Sequence, residues 1–195
     1  MLAGQARTGT NFHVDPNFTA AWNTVVYGRK KWIMFPPDVL PPNLELNGSQ
    51  VEQAESVIEW FVSSYDSIHE PGTHWQQHVQ ECVCEPGETV YIPAGWWHLV
   101  LNLDTTVAVT QNYVSEVNLA ASLQFLRTGQ PPYMNHAGPS SLEADFRAAL
   151  QASKHAPLVP KRAVSLWSTM ANAPATDSAP LTSSGFSFGF GLGTN

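Results

Sequence analysis

Hydrophobic and polar positions in the first 115 residues or so fall into short apolar runs broken by Gly and Pro, with helical spacing in between only once. Residues 20–27 are β-rich and end at Gly28-Arg29; residues 31–35 follow and stop at Pro36-Pro37. Two such runs joined by a Gly-containing turn predict a hairpin. From Val79 the strand signal returns as Cys82-Val83-Cys84, a Pro86-Gly87 turn, the alternating residues 88–92, and a second turn at Pro93-Ala94-Gly95. Residues 98–102 and 106–112 come next, joined by Leu103-Asp104-Thr105. With the stretch before Pro16 this makes about seven short strands, the pattern of an all-β sandwich or jelly roll.

The period changes over residues 49–65, where Val51, Ala54, Val57, Ile58, Phe61 and Val62 share one helical face and Gln50, Glu52, Gln53, Glu55 and Glu59 the other. This predicts an amphipathic helix at about 49–65, inserted between strands to cover one face of the sandwich, after a Pro- and Asn-rich loop at 38–48. Beyond Ser115 the pattern is helical again: 117–128, then 140–154 with Ser140 or Ser141 as cap and Glu143 in the first turn, and a shorter helix at 161–170. Residues 171–195, rich first in Ala, Pro, Ser and Thr and then in Gly and Phe, lack periodic apolar positions and are expected to be disordered. The chain thus divides into a mainly β unit at 1–116, a helical extension at 117–170 and a tail.

At 195 residues, 43% hydrophobic and 13% charged, the sequence suits one substantial core. Its formal charge of −7 argues against the broad basic footprint of a nucleic-acid binder. Neither a membrane-length apolar run nor a signal-peptide pattern is present. Cys82 and Cys84, two apart in a strand pattern, read as reduced thiols and point to an intracellular setting.

The chemistry concentrates in Gly9-Thr10-Asn11-Phe12-His13-Val14-Asp15-Pro16. On extended backbone His13 and Asp15 project to one side. One imidazole and one carboxylate are two thirds of the 2-His-1-carboxylate set that holds non-haem Fe(II) with positions left open. By itself His-x-Asp is a weak signal, equally at home in a hydrogen-bonded surface pair. The best third ligand is His98, which the turn at Pro93-Ala94-Gly95 delivers to the start of another apolar strand. His69, His74 and His78 surround Pro71-Gly72, which breaks any shared helical face, and no zinc-like spacing joins them, so they are expected to be loop histidines. Trp96 and Trp97 alternate, one toward the metal-facing side and one into the opposite layer.

Several motifs agree in order: Phe12-His13-Val14-Asp15-Pro16, Trp22-Asn23, Gly28-Arg29-Lys30-Lys31-Trp32, the run from Pro86 through Trp97-His98, Leu101-Asn102-Leu103-Asp104-Thr105-Thr106 and Thr110-Gln111-Asn112. Over about residues 8–118 the chain resembles the JmjC oxygenases, within them the arginine demethylase and lysyl hydroxylase type. The resemblance implies a double-stranded β-helix, a jelly roll of cupin type, with Fe(II), 2-oxoglutarate and O2 as cofactors. It puts the metal ligands at His13, Asp15 and His98, the distal carboxylate of 2-oxoglutarate on Lys30, Asn23 and Thr110 nearby, and Asn112 near the metal. Independently, a dicarboxylate inside an apolar barrel needs a buried cation, and Lys30 and Lys31, pointing to opposite faces, offer at most one.

By the same resemblance the activity is that of a dioxygenase on a protein side chain, a lysine- or arginine-containing segment, by hydroxylation or N-methyl demethylation, in the nucleus. Only twelve residues precede His13, whereas family members carry an N-terminal half with the first barrel strand and a tyrosine that contacts the co-substrate. A missing first strand, an unpaired sheet edge and a fragment or truncated gene model are therefore expected. Two other readings stand beside the enzyme: a catalytically inactive remnant, and a cupin metal-binding protein of another chemistry.

Overall fold

A computed structural model of the chain describes residues 1–134 and 141–153. The expected jelly-roll architecture is present: two four-stranded antiparallel sheets face each other. One sheet runs in the order β1 (Leu2–Gly4), β10 (Thr106–Tyr113), β3 (Ala20–Tyr27), β8 (Thr89–Ile92). The other runs β2 (Gly9–His13), β9 (Trp97–Asn102), β4 (Lys30–Phe35), β7 (Gln80–Cys84). The sheets hold eight strands where the sequence pattern suggested about seven. The strand passed over is β1, three residues too short to show a period, which pairs with β10 and covers the edge expected to stand open.

Three sequence expectations are corrected. First, β3 and β4 do not form a hairpin but lie in different sheets. The chain changes sheet at Gly28, whose φ of +75° suits glycine and whose Cβ would collide with the Thr105 carbonyl. Second, the inserted helix is shorter than residues 49–65: α1 spans Val57–Ser64, preceded by a small hairpin of β5 (Glu45–Asn47) and β6 (Gln50–Glu52). Gly48 turns that hairpin at φ +63°, and Ser56 starts the helix by accepting the Glu59 amide, so local capping overrides the longer periodicity. Third, not all the histidines near Pro71-Gly72 lie in loops. His74 and His78 bound the short helix α2 (His74–His78), and His69 ends a 3-10 turn at Asp66–His69.

Two helices follow the barrel as expected, α3 (Leu119–Thr128) and α4 (Leu142–Gln151). Ser141 sits at the cap position of α4, but its hydroxyl donates to the Asp145 carboxylate (2.8 Å) instead of capping a backbone amide. The expected helix at 161–170 and the tail at 171–195 lie outside the described residues. No helix among the described residues is long and apolar enough to cross a membrane.

The main core lies outside the sandwich. Phe12, Ile33, Phe35, Trp97 and Leu99 point away from the sheet interface and pack with Val39, Leu44, Val57, Trp60, Ile68 and Phe125. Trp60 meets Phe12 edge-on at 5.1 Å and donates its indole N–H to the Pro42 carbonyl (3.1 Å). Lining this side with aromatics leaves the space between the sheets free to be only partly apolar. There, Ala21, Val25, Trp32, Cys84, Val90, Ile92 and Val100 form a second, smaller cluster. Cys82 and Cys84 are both free thiols and face the same way, opposite Trp32 and Lys30 of β4; burial pushes the Cys84 thiol up to about 11.

Backbone fit is tightest where β2 meets β9. A Cβ on Gly9 would run into the Val100 carbonyl. Gly9→Ala is expected to push β2 off β9 and to lower the unfolding free energy by about 1–3 kcal/mol. A lower urea midpoint at unchanged slope would show this; an unchanged midpoint would mean that β2 is held mainly by other contacts.

Candidate metal centre and co-substrate pocket

β2 meets β9 through an irregular register: Thr10 stands opposite Val100, yet His13 rather than Phe12 stands opposite His98. One extra residue on β2 is a β-bulge, which re-aims the side chains beyond it. The bulge turns Phe12 into the outer core and His13 into the space between the sheets. Its backbone is held by the insertion, because Asn11 Nδ2 donates to the Ala54 carbonyl (2.8 Å) and Gln53 Nε2 donates to that of Phe12 (3.0 Å). Asp15 follows on extended backbone just beyond β2, so the His13/Asp15 spacing does place both side chains together. The turn at Pro16–Phe18 is tied down by α3, where Asn118 Nδ2 (3.1 Å) and Ser122 Oγ (2.9 Å) donate to the Phe18 carbonyl.

One potential ligand atom each from His13, Asp15 and His98 lie within 4.8 Å of one another. The imidazoles are already oriented. His13 Nδ1 bonds the Asn11 carbonyl (2.9 Å) and His98 Nδ1 that of Trp96 (3.1 Å), so Nδ1 carries the proton and each Nε2 keeps its lone pair. His98 Nε2 stands 3.9 Å from Asp15 Oδ1. Burial, helped by the facing His13, pushes the His98 ring down to about 3. Burial also raises the Asp15 carboxyl, against opposing pulls from the Asn112 side chain and His13. Asp15 Oδ2 is buried without a hydrogen-bond partner. Two imidazoles, each with Nδ1 engaged by a carbonyl, and an unsatisfied carboxylate oxygen are the donor set a divalent metal takes up, and their identity suits non-haem iron. The residues present fit that group.

The same cavity, about 150 Å³, extends from this triad to Lys30 and is also lined by Asn23, Trp32, Thr110 and Asn112. At about 30 Å³ per water it has room for roughly five waters, the scale of a small metabolite. All seven residues named from the sequence therefore line one cavity. Along β9 the two ends are four residues apart, about 13 Å at roughly 3.3 Å per residue: His98 opposes Met34, and Asn102 opposes Lys30. Lys30 is 6% exposed, and burial holds its ammonium below the ordinary lysine range. Lys31 points the other way and pairs with Glu81 (2.7 Å), so Lys30 is the cation that the cavity contains. Asn112 Nδ2 donates to Thr19 Oγ1 (3.0 Å) and Thr110 Oγ1 to the Trp22 carbonyl (2.8 Å). Asn23 Oδ1 and Trp32 Nε1 are buried without a protein partner. An uncompensated cation and an unsatisfied indole donor in one cavity fit a small carboxylate ligand, whereas Asn23 Oδ1, an acceptor, would take a donor.

Residues 1–113 match the family model described as JmjC domain, hydroxylase. The chain belongs to that family. Among curated relatives of this JmjC chain, it is 46% identical over 129 residues to the arginine-specific demethylase JMJ22 of Arabidopsis thaliana, covering 65% of this chain and 25% of that protein. It is 36% identical over 139 residues to the bifunctional arginine demethylase and lysyl-hydroxylase psr-1 of Caenorhabditis elegans, covering 69% and 34%. To the human 2-oxoglutarate and iron-dependent oxygenase JMJD4 it is 33% identical over 130 residues, covering 65% and 29%. The JmjC chain thus spans between a quarter and about a third of the length of these relatives.

Sequence reasoning missed Trp32 as a cavity residue, although it follows Lys30 by two on one strand and so shares its face. Trp32 stacks at 27° on His98, 6.2 Å between centroids. Of the tryptophan pair, Trp97 is the core residue, stacked on Tyr133 at 5.1 Å, while Trp96 is half-buried and gives its carbonyl to His98.

The depressed His98 value has a consequence for the metal-free chain. An unfolded histidine titrates near 6.5, so between about pH 6.5 and 3 the unfolded chain binds a proton that folded His98 refuses. Stability is therefore withdrawn as pH falls through that window, and nothing is withdrawn above it. The raised Asp15 carboxyl works in the opposite sense, so the comparison must isolate His98. Melting of the metal-free chain between pH 7 and 5 is expected to drop less in His98→Gln than in the wild type; equal drops would contradict the neutral buried imidazole.

Proposed function

We propose that the chain acts as an Fe(II)- and 2-oxoglutarate-dependent oxygenase on a protein side chain, either hydroxylating lysine or removing N-methyl groups. The observation that carries this reading is one cavity with an oriented two-histidine, one-carboxylate cluster at one end and a buried, uncompensated lysine at the other. His13, Asp15 and His98 would hold the iron through Nε2 and carboxylate oxygens. Lys30 would bind the distal carboxylate of 2-oxoglutarate, with Asn23 and Thr110 alongside. Asn112, beside the Asp15 carboxylate, would keep that ligand ionised and aligned. Bound there, iron with 2-oxoglutarate and O2 supplies the power to oxidise a C–H bond, while 2-oxoglutarate leaves as succinate and CO2.

Both outcomes share that oxidation. A hydroxylated lysine carbon is a stable alcohol, whereas a hydroxylated N-methyl group falls apart to formaldehyde and the free amine or guanidine. The activities for which the relatives are named, arginine demethylation and lysyl hydroxylation, are the same pair. Which target presents itself depends on the protein surface around the cavity mouth, and nuclear residence is part of the same proposal.

The test is succinate formation by the purified chain with lysine- and methylarginine-containing peptides, together with anaerobic Fe(II) titration in the presence and absence of 2-oxoglutarate. His13→Ala is expected to abolish iron binding. Lys30→Ala should keep iron but weaken 2-oxoglutarate binding by roughly a hundredfold or more, the cost of removing one member of a buried charge pair. A cooperatively folded chain that binds neither component would point to an inactive remnant. One that binds metal yet ignores 2-oxoglutarate would point to a cupin metalloprotein of another chemistry.

A further inference from the structure

The lysine at the far end of the cavity does not stand alone. An ammonium has three donors and no acceptor, and among the described residues Lys30 Nζ donates to Asn102 Oδ1 at 2.6 Å while no carboxylate pairs with it. Asn102 is itself 5% exposed and held at every polar atom. Its Oδ1 also accepts from Thr106 Oγ1 (3.0 Å), and its Nδ2 donates to Thr8 Oγ1 (3.0 Å), which in turn donates to the Gln5 carbonyl (2.7 Å). Its backbone N–H donates to the Thr8 carbonyl, and its own carbonyl accepts from the Arg7 amide, both at 2.8 Å. Gly4 of β1 lies so close that a Cβ there would strike Nδ2.

This network admits one orientation of the carboxamide. Reversing it would aim Nδ2 at an ammonium and a hydroxyl donor and leave a buried cation facing a donor. Asn102 therefore offers Lys30 a neutral acceptor: it fixes the direction of the ammonium without neutralising the charge. An acidic residue here would form an internal ion pair, and the cavity would lose its net positive end.

We propose that Asn102 is a positioning residue that holds Lys30 as an oriented, uncompensated cation and thereby makes the pocket select 2-oxo acids bearing a second, distal carboxylate. The inference rests on the co-substrate reading above and deepens it. It gives β1 and the Gln5–Thr8 turn a role in co-substrate choice, since Gly4 of β1 abuts the amide from the opposite sheet and Thr8, leading into β2, accepts from it beside β9. It also explains why the longest-range hydrogen bonds of that end converge on one asparagine four residues after a metal-binding candidate.

Asn102→Asp is the discriminating variant, because it keeps the shape and the contacts to Lys30 and Thr106 while adding the compensating charge. The full chain, loaded anaerobically with Fe(II), is titrated with 2-oxoglutarate and with 2-oxopentanoate, which lacks the distal carboxylate, and binding is read by calorimetry. Wild type is expected to prefer 2-oxoglutarate by about tenfold or more. Asn102→Asp should lose most of that preference through weaker 2-oxoglutarate binding, with 2-oxopentanoate and Fe(II) affinities within about twofold of wild type and cooperative unfolding retained; these ratios correspond to the gain or loss of one charge-assisted contact. Retained preference in Asn102→Asp would overturn the inference. So would a parallel loss of both 2-oxo acids and of iron, the mark of a merely structural role. Should Asn102→Asp fail to unfold cooperatively, Asn102→Ala serves: its loss of 2-oxoglutarate affinity must vanish in a Lys30→Met background, because the residue acts through Lys30, and a loss that persists there overturns the proposal. A wild-type chain without preference would sink the co-substrate reading itself, and this inference with it, whereas preference kept by both proteins sinks only the role of Asn102.

Discussion

The site depends on a single extra residue in β2. Side chains of a strand alternate, so without the bulge between Thr10 and His13 the residue facing His98 would be Phe12 and His13 would point into the outer core. With it, two imidazoles face each other, 4.1 Å between ring centroids, and Asp15 arrives on the same side. A bulge leaves backbone groups unpaired, and the cost of burying them is comparable to that of a lost hydrogen bond. Gln53 answers this at the Phe12 carbonyl, and the Asn11 side chain ties the bulged strand to the insertion through Ala54. The insertion is thus a splint for the metal centre as well as a cover for the core.

Packing on the outside frees the inside. Phe12, Phe35, Trp60 and Trp97 bury the outer face of the β2-containing sheet, so hydrophobic stabilisation does not have to come from the interface between the sheets. That interface divides into an apolar cluster around Val25 and Val90 and a polar cavity. The cavity's groups are individually unfavourable: a neutral buried histidine, a carboxyl raised by burial, and a lysine lowered by it. Each is displaced from its ordinary protonation behaviour chiefly by burial, the kind of perturbation that clusters at functional sites. The surrounding hydrogen bonds orient these groups without neutralising them: carbonyls at the histidine Nδ1 atoms, and a carboxamide at Lys30.

Much of this was legible before any coordinates. The strand pattern and the turns at Pro86-Gly87 and Pro93-Ala94-Gly95 carried the fold class, because each depends on local chemistry or on alternation along one strand, while the ordered motifs from His13 to Asn112 carried the family resemblance and, through it, the seven cavity residues. Where reading failed, the deciding contacts were distant in sequence. β1 is too short to have a period and exists because β10 offers it an edge. The hairpin expected at Gly28 dissolved because the chain there crosses between sheets, a choice made by the close approach of Thr105 from nearly eighty residues away. Helix periodicity over residues 49–65 lost to a Gly48 turn and a Ser56 cap.

Sequence alone therefore singled out the candidate side chains, two histidines, an aspartate and a lysine, through the His13/Asp15 spacing and the ordered motifs of the family resemblance. Only the tertiary structure decided how they are held. The bulge that selects His13 over Phe12, the burial that keeps His98 neutral, and the Asn102 clamp on Lys30 all arise between strands far apart in the chain. Strand alternation is a property of neighbouring residues, whereas register, burial and a shared hydrogen-bond acceptor exist only once distant strands have met.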